Sequence, residues 1–71
     1  MPAEFKTGTA TSYDSNLMQG KYTEAVTGTP LIFEVSKPTV NVIPGDLVEI
    51  LYKTPSGKIL NVVIKINGRD V

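Results

Sequence analysis

The chain has 71 residues, seven of them basic and seven acidic, and contains neither cysteine nor histidine. That length holds a single domain, and one so short leaves much of its surface exposed, so stability has to come from packing or from self-association. A disulfide framework and the commonest zinc sites are excluded, and the charges, scattered from Glu4 and Lys6 to Arg69 and Asp70, lack the basic surplus on which polyanion binding rests.

Residues 1–16 are expected to form an edge strand or an extended N-terminal arm. Phe5 and Tyr13 bracket Thr7, Gly8, Thr9, Ala10, Thr11 and Ser12, a run that suits a strand but offers little core mass. Gly8 within it points to a bulge or a close backbone approach. Asp14-Ser15-Asn16 carries turn chemistry, and Asn16 to Gly20 has room for one helical turn at most. Lys21 to Val26 then alternates, with Tyr22, Glu24 and Val26 on one face, and Gly28 ends it. Pro30 to Ser36 alternates more clearly, with Leu31, Phe33 and Val35 sharing a face until Lys37-Pro38 breaks it.

Val40 to Ile43 is expected as a strand feeding the turn Ile43-Pro44-Gly45-Asp46. There proline presets φ at one central position and glycine supplies the positive φ of a type II turn at the next. Leu47 to Lys53 is the clearest strand, placing Val48, Ile50 and Tyr52 on one side and Leu47, Glu49, Leu51 and Lys53 on the other. Thr54 to Lys58 turns the chain into Ile59 to Ile66, a hairpin in which Leu60, Val62, Ile64 and Ile66 are expected on the core face. Asn67-Gly68 suits a type I′ turn, followed by Arg69-Asp70-Val71 as a stub strand or an outward-reaching end. The expected fold is therefore all-β: a single domain over residues 1–71, built as a small antiparallel β-barrel or compact β-sandwich of about five to six short strands.

No constellation of catalytic residues emerges. Nucleophilic catalysis most often uses histidine as the base, and Ser12, Ser15, Ser36 and Ser56 all sit where serine serves turns. Glu24, Glu34, Asp46 and Glu49 are isolated within strand pattern rather than paired for acid–base work. Asp14-Ser15-Asn16 reads as an Asx turn in preference to a calcium loop, and Gly45, Gly57 and Gly68 stand alone as turn glycines, not as a phosphate cradle. Tyr13, Tyr22 and Tyr52 could stack on bases or sugars, but core packing with a wet hydroxyl end is the favoured reading of all three. The expectation is a non-enzyme with no cofactor, no metal and no evident small-molecule substrate. No secretory signal or apolar membrane span is written in these residues, so a cytoplasmic chain or a component of a particle assembled inside a cell is expected.

One feature departs from a simple two-layer domain. The second face of the strong hairpin is also apolar, with Leu47 and Leu51 on one strand and Ile59 and Val63 on the other, and Ile32 adds to it. Apolar residues on both faces need cover on both sides. Two covers compete: the sheet curls into a barrel and another strand or the N-terminal arm covers these residues, or a second subunit does. Cover by a second subunit makes Ile32, Leu47, Leu51, Ile59 and Val63 interface residues, joined by Phe5 and Tyr13 on an N-terminal thread reaching onto a neighbour. The leading expectation is thus a structural or assembly protein that self-associates through sheet faces or edges, in the manner of a small virion, tail or scaffold component. Its partner is a second copy or another protein, and nucleic acid is not expected.

The alternative is a small adaptor. Ile43-Pro44-Gly45-Asp46-Leu47-Val48-Glu49-Ile50 and Gly57-Lys58 resemble the Gly-Asp strand entry and Gly-Lys turn of SH3-like barrels of the translation and transcription type. Pro-Gly-Asp before a strand is similarly found in immunoglobulin-like domains. Either resemblance implies a small β module binding a protein or peptide.

Overall fold

A computed structural model describes residues 2–71. It contains six strands and no helix: β1 (Glu4–Asp14), β2 (Gln19–Glu24), β3 (Pro30–Glu34), β4 (Leu47–Lys53), β5 (Ile59–Ile66) and β6 (Arg69–Asp70). They form one sheet in the order β3-β2-β1-β4-β5-β6, and a parallel contact between Glu34 of β3 and Val62 of β5 closes the first five into a barrel. Of the two expected architectures the barrel is the one formed. Its single departure from antiparallel pairing is that closing contact. Read around the ring, the strand circuit is β1-β2-β3-β5-β4.

The N-terminal run is neither an edge nor an arm. Its first half, Glu4 to Thr9, pairs with β4, and its second, Gly8 to Asp14, pairs with β2, so β1 is the strand that both halves of the barrel share. Thr11 is the extra residue of a bulge between Ala10 and Ser12, and such bulges bend the strand that carries them. Gly8 and Gly20 make the bend possible. A Cβ on Gly8 would collide with the Thr23 carbonyl oxygen and lie 2.8 Å from the Tyr22 ring, and one on Gly20 would collide with the Ser12 carbonyl oxygen and lie 2.5 Å from Phe33.

The barrel interior holds Ala10, Tyr22, Phe33, Val35, Val42, Val48, Ile50 and Val63, with Tyr22 and Ile50 fully enclosed. Burying a side chain of the size of Ile50 or Phe33 contributes about 1.5–3 kcal/mol each. Tyr13 stacks on Phe33 at a centroid distance of 6.0 Å, and Phe33 meets Tyr22 at 6.1 Å.

Two sequence expectations fail locally. Val40 to Ile43 forms no strand: only Val42 is buried there, and the segment runs as an irregular connection into the turn. That turn is as expected, with Gly45 at φ +100° and the Asp46 N–H donating to the Ile43 carbonyl at 3.0 Å. On β5, Val63 rather than Val62 or Ile64 enters the core. Two register shifts against β4 break the alternation, and Asn61 sits in one of them at φ +57°. A bulge inverts the faces of every residue beyond it. At the far end Asn67 (φ +52°) and Gly68 (φ +82°) make the expected tight turn, and β6 pairs back on Lys65 and Ile66.

Candidate functional site

The outer wall of β4 and its two neighbours carries the most continuous apolar surface among the expected interface residues. Leu51 lies opposite Phe5 on β1 and opposite Val62 on β5, so the three form one row across the three strands. Cross-strand neighbours on both flanks explain why Leu51 is half-buried while Phe5, flanked on one side by β4, is 56% exposed. Ile59, 47% exposed, sits opposite Lys53 in the next row. The Lys53 ammonium reaches Glu4 at 3.7 Å there, an exposed pair that contributes little to stability but rims the apolar row with charge.

On the other side of this row, Thr7, Glu49 and Lys65 align across the same strands, followed by Thr9 opposite Leu47. Leu47 is 61% exposed and helps line a shallow groove of about 350 Å³ together with Thr7, Thr9, Ala25 and Glu49. The wall therefore runs from an apolar row through a polar one to a leucine beside a groove.

The seven sequence-predicted interface residues divide into three groups. Phe5, Leu51, Ile59 and Leu47 share this wall. Ile32 is exposed but stands on the outer side of β3, opposite Lys21 of β2. Val63 and Tyr13 turn inward: Val63 is 2% exposed, and the half-buried Tyr13 stacks on Phe33 and donates its hydroxyl to the Val40 carbonyl at 3.4 Å. Val63 is corrected to a core position, while Tyr13 packs against the core and still lines a surface groove with Ile32. The bulges moved them, Val63 by the register shifts on β5 and Tyr13 by the extra residue at Thr11. Val62, the third member of the row, was expected on the core face for the same reason.

Polar chemistry concentrates at the β2–β3 loop. Glu24 is buried, and its carboxylate accepts the N–H groups of Val26 at 2.6 Å and Thr27 at 2.7 Å. Those backbone donors, that of Thr27 foremost, hold its pKa below the ordinary glutamate value against the opposing effect of burial, with Lys6 assisting. Lys6 itself stands 4.5 Å over the Tyr52 ring. The Tyr22 hydroxyl is buried without a hydrogen-bond partner, and burial pushes its pKa up. The Asp14 carboxylate accepts the N–H of Asn16 at 2.9 Å, which is the expected Asx turn. Among the described residues no three acidic side chains come together in a metal-binding group, and no helix is long and apolar enough to cross a membrane.

The chain matches no family model, no curated protein and no solved structure.

Proposed function

We propose that the protein is a non-enzymatic barrel module that works by self-association, with the outer wall of β1, β4 and β5 as its contact surface. The observation that carries this reading is the row Phe5, Leu51 and Val62 with Ile59 beside it: large apolar side chains aligned on the outside of a closed barrel. Their own barrel offers them no further cover, because its interior is already filled from the other face of the same strands. A second copy of the wall would supply it. A small structural or scaffold component fits this behaviour.

Light scattering on a size-exclusion column, at two concentrations an order of magnitude apart, tests the reading. A mass above the monomer that L51D returns to monomer, with the fold intact by circular dichroism, supports it. A monomer at both concentrations overturns it and directs the search to a partner of different sequence, as the adaptor alternative requires.

A second reading rests on the circuit, which resembles that of OB-type barrels. Such barrels commonly bind single-stranded nucleic acid or oligosaccharide over the face of their second and third strands, and the resemblance is an analogy, not a site. Here that face presents Gln19, Lys21, Ile32 and Glu34, with Gln19 donating to Glu34 at 3.1 Å. The aromatic ring lining the groove beside Gln19, Lys21 and Ile32 is Tyr13, half-buried and stacked on Phe33, a single ring where strand binding usually uses several. Titration of a labelled single-stranded oligonucleotide at low salt separates the two readings.

A further inference from the structure

The corner where β1, β4 and the β5–β6 turn meet is closed by one side chain. Asn67 accepts the Leu47 N–H on Oδ1 at 2.9 Å and donates from Nδ2 to Asp46 Oδ1 at 3.2 Å, while its own N–H donates to the Leu47 carbonyl at 2.7 Å. The other Asp46 oxygen accepts the Ile43 N–H at 3.0 Å. Ala10 of β1 is tied into the same corner, donating to the Asp46 carbonyl and accepting from the Gly45 N–H, each at 2.8 Å. The orientation of the Asn67 amide is settled by its partners, since an N–H must meet its oxygen and a carboxylate must meet its nitrogen.

Asn67 is also followed by Gly68, whereas Asn16, Asn41 and Asn61 precede Leu17, Val42 and Val62. Glycine leaves its backbone nitrogen unhindered by a side chain, and both turn residues are exposed. We propose that Asn67 is a site of spontaneous covalent modification, converted by its own backbone to aspartate or isoaspartate, and that the conversion unlatches this corner.

In the first step a bond forms between the Gly68 nitrogen and Asn67 Cγ as the Cγ–Nδ2 bond breaks. The Gly68 nitrogen loses its proton and ammonia leaves. Water then opens the resulting five-membered imide at either carbonyl, giving aspartate or isoaspartate. No oxidation state changes, and water is the sole co-reactant. The two side-chain hydrogen bonds hold the amide in the folded protein and slow the first step. After conversion, a carboxylate stands where Nδ2 donated to Asp46. Two like charges then face each other across a lost hydrogen bond. The isoaspartyl product, in addition, inserts a methylene into a two-residue turn.

The test follows the intact chain at mildly alkaline pH by peptide mapping that distinguishes aspartate from isoaspartate. Conversion is expected first at Asn67, several-fold more slowly in the folded protein than in urea. Conversion first at Asn16, Asn41 or Asn61, or at the same rate folded and unfolded, would overturn the assignment. Melting of N67D against the uncharged N67S at neutral pH tests the latch. A lower melting temperature for N67D, converging on that of N67S as carboxylates protonate, supports it; equal melting at neutral pH refutes it.

Discussion

At Gly8 the limit is backbone against side chain. The Thr23 carbonyl oxygen occupies the space a Cβ would need, and it is fixed in the β2 ladder, so neither partner can yield. G8A is expected to lower the unfolding free energy by about 3 kcal/mol, the upper range for overpacking, as read from urea denaturation. Tyr22 is the opposite case, because its hydroxyl is buried without a partner. Removing an unsatisfied buried group spares its desolvation penalty, so Y22F is expected to raise stability by about 1 kcal/mol. The raised pKa of Tyr22 means that its stabilising contribution is complete below the unfolded value, near about 10, and is lost as pH rises through the folded one. Y22F should therefore also flatten the alkaline end of the stability profile. Glu24 behaves in the reverse sense. Its lowered pKa places its contribution above the unfolded glutamate value, to be lost as pH falls through the folded one. Melting temperatures from about pH 5 downwards should fall more steeply for the wild type than for E24Q.

Among the elements, the turns were legible and the bulges were not. Pro44-Gly45 and Asn67-Gly68 impose their φ values locally, so their turns could be placed from residue type alone. The strands Leu47–Lys53 and Ile59–Ile66 were equally plain from alternation. Where a register shift intervened, alternation gave the wrong face, because the residue that causes it, Asn61 or Thr11, is not distinctive outside its pairing context. This error assigned Val63 to an interface and Val62 to the core. The two can be told apart experimentally. V63A should cost about 2 kcal/mol or more, as a cavity in the core does, whereas V62A and L51A, on the outer wall, should change chemical denaturation little and act on the oligomer. The arm expected over residues 1–16 failed for a related reason. Small residues look poor in core mass, yet Ala10 is buried in the core, and at Gly8 and Gly20 a facing carbonyl and a ring, Tyr22 or Phe33, leave no room for a side chain.

In the whole molecule, the sheet order divides at the centre. β1, β2 and β3 are consecutive in sequence and adjacent in space, and so are β4, β5 and β6. The halves pair along the β1–β4 ladder and at the Glu34–Val62 bridge, share the core, and are joined covalently through residues 35–46. The all-β class and barrel option followed from strand density and turn spacing, while the circuit did not, because it depends on β1 being long enough to serve both halves. Self-association through the outer wall, if the scattering measurement bears it out, is a property of this scale, since its residues come from both halves.

The position of that connection carries a further consequence. Each half is a meander of neighbouring strands that can form by local pairing, and what completes the barrel is one half docking on another. Nothing in the β1–β4 ladder requires the two halves to come from the same chain. Were residues 35–46 to straighten, two copies could exchange halves and rebuild the same barrels in pairs, keeping every ladder and changing only which molecule supplies each side. Against such an exchange stand the connection's own contacts: Val35 and Val42 are buried in the core, and the turn at Pro44-Gly45 is tied to Ala10 by two backbone hydrogen bonds through Gly45 and Asp46.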